Sequence, residues 1–133
     1  MTDNYFAKVR DYILELGYQI NHIDENDGVI VISDEDSGIS NLVIGIADPL
    51  LIVEQFIFNV QSDSASMYKA LLQKNRDIIH GAFVLDDSGT KVLFRDTLQL
   101  ENLDLNELEA TVNSLALLLS EYSDELIQYS HQS

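Results

Sequence analysis

Three short stretches of this chain are apolar almost without a break: Val29-Ile30-Val31-Ile32, Leu42-Val43-Ile44 with Ile46, and Ile52-Val53 with Phe56-Ile57-Phe58. Each is short, rich in β-branched or aromatic residues and bounded by turn-forming residues, so each reads as a strand. A sheet with one face in water would show polar residues at alternate positions. Here the runs put apolar side chains on both faces. Such a sheet has three ways to cover itself: its helices divide between the faces, a second copy takes one face, or a partner segment lies on it. The expectation carried forward is a partner face, with Ile30, Ile32, Ile44, Ile46, Phe56 and Phe58 as its partner-binding residues.

The rest of the chain supplies the other elements. Tyr5, Phe6, Val9, Tyr12, Ile13 and Leu16 recur at helical spacing, so a first helix is predicted, capped by Thr2 or Asp3 and stopped by Gly17. The period then changes to two at Tyr18, Ile20 and His22, before a hairpin turn at Asn26-Asp27-Gly28. Strands follow over Val29–Ser33, Ile39–Ala47 and Leu51–Val60, the last two separated by Asp48-Pro49. Ser62-Asp63-Ser64 offers caps for a middle helix through Ile78, with Met67, Leu71 and Leu72 inward. Gly81–Leu85 and Lys91–Leu98 form a second hairpin. The predicted order is α-ββββ-α-ββ-α, an α+β fold with an antiparallel sheet and helices packed against it, in one domain over residues 1–133.

The last helix is predicted from Asp104, its N-cap, to about Tyr129. Leu105, Leu108, Val112, Leu115, Leu119, Tyr122, Leu126 and Tyr129 step along one stripe. Roughly 25 residues at 1.5 Å each would reach about 37 Å, against about 20 Å for the strands of a small sheet. The overhang needs a cover, either a second subunit or the N-terminal helix.

Composition removes several functions. The 23 Asp and Glu outnumber 7 Lys and Arg, a formal charge of -16, and the basic residues do not cluster. Phosphate backbones and anionic membranes are therefore poor partners. The acidity itself serves solubility, salt adaptation or attraction to a basic protein. Cysteine is absent, so disulfides, thiolate zinc sites and cysteine nucleophiles are absent too. The first residues show no signal-peptide pattern and the apolar runs are too short to cross a bilayer, which makes the cytoplasm the expected compartment.

No constellation asks for catalysis. Asp24-Glu25-Asn26-Asp27-Gly28 fails as a calcium loop because its glycine falls one position early and strands flank it. Asp34-x-Asp36-x-Gly38 and Asp86-Asp87-Ser88-Gly89 read as solvated turns. His22, His80 and His131 make no ligand pair and sit in no nucleophile motif. Nucleotide-binding and nucleophile-elbow motifs are absent. No enzyme activity, metal or cofactor is expected.

One resemblance narrows the reading. Leu71-Leu72-Gln73-Lys74-Asn75, Gly81-Ala82-Phe83-Val84-Leu85-Asp86-Asp87, Gly89 and Lys91-Val92-Leu93-Phe94 lead through Leu98-x-Leu100-x-Asn102-Leu103 into the Leu-rich last helix. This pattern resembles the type III secretion chaperone fold, especially its Tir-chaperone-like and YbjN-like bacterial relatives. It covers roughly residues 65–130 well, and the N-terminal half in element order. The resemblance implies a small, acidic, non-enzymatic homodimer that binds a client protein in extended form, by strand addition and by apolar side chains in grooves. It also implies dimer contacts over about Ala65–Asp77 and Gly81–Arg95, with Met67, Leu71, Phe83 and Leu93 as the expected interface residues. A small-ligand sensor or regulatory domain, with a pocket between sheet and helices, is the alternative.

Overall fold

The computed structural model of the chain describes residues 4–131. The element order is α1 (Tyr5–Leu16), β1 (Gln19–Asp24), β2 (Val29–Asp34), β3 (Ile39–Ala47), β4 (Leu50–Asn59), α2 (Ala65–Asn75), β5 (Ala82–Leu85), β6 (Lys91–Gln99), α3 (Leu105–Glu121) and α4 (Ser123–His131). The strands form one antiparallel sheet in the order β1-β2-β3-β4-β6-β5. This is the α+β architecture expected, with one more helix.

Local chemistry sets the helix ends. Thr2 and Asp3 lie outside the described residues, and Asn4 caps α1, its Oδ1 accepting from the Ala7 amide at 3.0 Å. Ser64 caps α2 through the Met67 amide at 3.2 Å, and Asp104 caps α3 through the Glu107 amide at 2.8 Å. The middle helix stops at Asn75, three residues short of the expected end. There the amides of Arg76, Asp77 and Ile78 bond three residues back, to Gln73, Lys74 and Asn75, which tightens the chain out of the α-helix.

The long final helix is corrected most. It is two helices, with a break at Tyr122 (φ -106, ψ 10). The Tyr122 ring packs on Phe83, with centroids 6.5 Å apart, and the Lys74 ammonium lies 5.0 Å from its centre. Beyond the break, α4 lays buried Leu126 and half-buried Tyr129 against the sheet, with Tyr129 and Phe58 rings 6.2 Å apart. The 17 residues of α3 span about 26 Å, and α4 packs on the sheet instead of overhanging it. The helix length therefore gives no reason to invoke a second subunit.

The strand β1 also departs from simple alternation. Ile20 pairs with Ile32 but His22 pairs with Val31, so Asn21 is the extra residue of a β-bulge. The bulge turns His22 to the opposite face from Ile20. It also aims the Asn21 amide at Ser33 Oγ, 2.6 Å away, and Asn41 Oδ1, 3.0 Å away.

The core lies between one sheet face and the helices. Ile30, Ile32, Leu42, Ile44, Leu51, Val53, Val92 and Phe94 meet Phe6, Val9 and Ile13 of α1 and Leu108, Val112 and Leu115 of α3, all buried. Two buried polar groups pin this packing. Gln55 Oε1 accepts from the Ser40 amide at 3.1 Å, and Thr111 Oγ1 donates to Asp96 Oδ2 at 2.9 Å, tying α3 to β6. Among the described residues no buried side-chain polar atom lacks a partner.

Tyr18, half-buried against this core, carries a pH signature. Burial, with the charges of Glu109 and Asp34 adding to it, pushes its phenol up from 10.0 to about 12. The folded state thus favours the neutral phenol. Its contribution to stability is complete below the unfolded pKa of about 10 and is lost as pH rises toward 12. In an alkaline titration followed by phenolate absorbance, Tyr18→Phe is expected to remove the last folded-state step. A retained last step would assign it to another tyrosine.

Candidate protein-interaction surface

Directly paired residues share a sheet face, so the strand registers sort the apolar runs. Ile30, Ile44 and Val53 align on the helix-covered face, and Val31 and Val43 align on the other. The helices do not divide between the faces. Every fully buried strand residue lies on the covered side, whereas Val29, Val31, Ile52, Leu93 and Val84 are half-buried and Val43 and Phe56 are exposed on the open side.

The six expected partner-binding residues fall unevenly across this division. Ile30, Ile32 and Ile44 are fully buried beneath the helices and Phe58 is nearly so. Ile46 is half-buried against the same core. Phe56 alone projects from the open face, 48% exposed. The apolar residues available to a partner are thus the alternate ones of the same runs. The expected dimer residues divide similarly: Met67, Leu71 and Phe83 are buried within the subunit, and Leu93 is half-buried on the open face beside Phe56, its register partner.

Charge divides the open face. Arg95 and Glu54, register partners on β6 and β4, form an ion pair near its middle. Lys91 donates to Asn59 Oδ1 at 3.2 Å and lies 5.4 Å from the centre of the Phe56 ring. Two of the seven basic residues of a strongly acidic chain therefore occupy this face. Val29, Val31, Val43 and Ile52 lie to one side of the ion pair, and Phe56, Leu93 and Val84 to the other.

The second group continues around the edge of the sheet. Tyr68, Leu71 and Leu72 of α2 face Phe83, Val84 and Leu85 of β5 across an apolar cleft of about 240 Å3. Leu72 is 69% exposed and Leu85 is exposed as well. Leu72, expected on the inner side of the middle helix with Met67 and Leu71, stands outside instead. Asn75 was missed as a functional group. Its amide donates to the Phe83 carbonyl at 3.1 Å and its Oδ1 accepts from the Phe83 amide at 2.7 Å. One side chain thereby satisfies both backbone groups that Phe83 presents at the free edge of the sheet. Asn75→Leu removes both bonds and should cost about 1–3 kcal/mol in denaturant unfolding. A loss of a few tenths would show that the edge is satisfied otherwise.

An ion pair locks α2 to the last helix. Lys74 pairs with Glu125 of α4, and this bond is the first cause of the raised Lys74 pKa. The three histidines are dispersed: His22 on β1, His80 in the α2–β5 connection and His131 at the end of α4. Among the described residues no three His, Asp or Glu side chains converge as a metal site. No helix of the described residues is long and apolar enough to cross a membrane.

Known proteins share this fold. The family model described as CesT_Tir_1 matches residues 2–132. The fold is similar to that of YbjN from E. coli, with a TM-score of 0.67 at 12% identity over 90% of this chain and 91% of that one. A chain of the HopA1–SchA chaperone–effector complex matches with a TM-score of 0.64 at 13% identity, over 99% of this chain and 100% of that one. The type III secretion chaperone SycH of Yersinia pestis, solved with a fragment of YscM2, matches at 0.60 and 17% identity over 96% and 100%. At such identities the likeness is one of fold. No curated protein matches the chain significantly.

Proposed function

The chain belongs to the CesT_Tir_1 family, matched over residues 2–132, and from that membership we propose that it is a non-enzymatic, chaperone-like protein that binds an extended client segment as a homodimer. The observation that carries this reading is the uncovered apolar face of the sheet. An isolated subunit would hold Val43 and Phe56 in water beside Val31, Ile52 and Leu93, and a contiguous patch of that kind marks an interaction surface.

The proposed division follows the Arg95–Glu54 pair. The side holding Phe56, Leu93 and Val84, continuous with Leu72 and Leu85 across the α2–β5 cleft, receives the second copy. It includes Lys91, which lessens the repulsion between two chains of charge -16. The side formed by Val29, Val31, Val43 and Ile52 receives the client, whose alternate side chains would meet the period of the strands. The solved relatives SchA–HopA1 and SycH–YscM2 are complexes of chaperones with protein partners, which supports the same reading.

Sedimentation tests the self-association. The wild-type chain is expected to sediment as a dimer at micromolar concentration, and Leu72→Asp with Leu85→Asp as a folded monomer. A wild-type monomer, or a double variant that remains dimeric, contradicts the assignment.

A further inference from the structure

Away from the open sheet face, the α2–β5 connection and the flank of α3 enclose a second cleft, of about 310 Å3. Ile79 and Leu117 line it while 86% and 65% exposed, and buried Leu118 and half-buried Ile78 lie deeper. Ser114 Oγ donates to the His80 carbonyl at 2.8 Å, which fixes the connection to α3 and holds the two walls together. The apolar lining is therefore a positioned feature of the fold.

Its charge has one sign. Asp77 and Glu121 line the same cleft, and neither takes part in an ion pair among the described residues. Of the two cations nearest in sequence, Lys74 is already engaged by Glu125 and the Tyr122 ring, and Arg76 adjoins Asp77 without lining the cleft. The field is felt locally: the Tyr122 phenol is pushed up by burial first and then by the carboxylates of Glu121 and Asp77. A second copy of a chain with charge -16 is a poor occupant for such a rim, and so is any phosphate polymer or anionic membrane.

We propose that this cleft docks a short segment of a partner protein in which an apolar side chain enters between Ile79 and Leu117 while an adjacent Lys or Arg pairs with Asp77 and Glu121. The site is distinct from the open face of the sheet and does not depend on what that face binds. Apolar anchoring supplies the affinity and the carboxylates supply the preference for a basic sequence.

The test is selection of a random peptide library displayed on phage against the full chain, followed by measured affinities of the enriched peptides. Sequences with an apolar residue flanked by Lys or Arg are expected. Their binding should weaken about tenfold or more in Ile79→Ser with Leu117→Ser, as loss of an apolar anchor predicts. It should weaken also in Asp77→Asn with Glu121→Gln, and persist in Leu14→Ser, an exposed apolar residue of α1 that does not line the cleft. Enriched peptides without a basic bias, peptides that bind the Ile79/Leu117 variant unchanged, or no enrichment at all would overturn the proposal. So would conversion of a wild-type dimer to a monomer by the Ile79/Leu117 substitutions, which would make the cleft a self-interface.

Discussion

Ile44→Asp is expected to abolish cooperative folding, whereas Phe56→Asp is expected to leave a subunit that still folds cooperatively. The two residues come from apolar runs that look alike in the sequence, yet Ile44 is fully buried under the helices and Phe56 is 48% exposed on the open face. Replacing Ile44 removes about 3 kcal/mol of burial and packing and leaves a carboxyl group without a partner in the core, at several kcal/mol more. The sum rivals the whole net stability of a domain this size, about 5–15 kcal/mol. Phe56→Asp forfeits only part of one ring's burial, about 1 kcal/mol, and sets a carboxylate beside Lys91, the cation over the present ring. Thermal unfolding by circular dichroism decides the matter. A folded Ile44→Asp would reverse the assignment of the two faces.

The second large effect is at Gly81. Its φ is +88, and a Cβ there would lie 2.5 Å from Cε1 and Cζ of Phe94 and 3.1 Å from the Arg95 carbonyl oxygen. Phe94 is fully buried and has no room to yield. Gly81→Ala therefore combines left-handed backbone strain of about 1–2 kcal/mol with overpacking of about 1–3 kcal/mol. A loss of about 2–5 kcal/mol in urea unfolding follows. Gly89→Ala is the control, because Gly89 also has positive φ (+73) but no atom within 4 Å of the added carbon. It should show the strain alone. Equal losses at the two sites would mean that Phe94 does move.

These residues also show what the sequence can and cannot reveal. The apolar runs located β2, β3 and β4 to within a residue or so, because turn residues bracket each one. They could not assign faces. Val29 to Ile32 offers an apolar side chain at every position, and only pairing with β3 decides which go inward. The interaction residues were consequently drawn largely from the covered side.

The break at Tyr122 escaped for a related reason. Leu126 and Tyr129 are still apolar after the bend, so the helical stripe runs through a point where the helix does not. The bend coincides with contacts from Lys74 and Phe83, which are distant in sequence. Asn75 was hidden in the same way: a polar residue ending a helix carries no sign that a strand edge eight residues later will need both its amide atoms. Periodicity reports the burial of an element. Tertiary partners it leaves silent.

On the proposed function, the open face of the sheet, rather than the apolar residues beneath the helices, receives a client chain. Methyl-labelled protein titrated with a permanently unfolded polypeptide, such as a reduced and alkylated small protein, tests it directly. Resonances of Val31, Val43 and Ile52 are expected to shift on binding while those of Ile30 and Ile44 stay in place. Val43→Asp, folded, should then lose that binding. Shifts absent from the open-face methyl groups, or full binding by folded Val43→Asp, would contradict it.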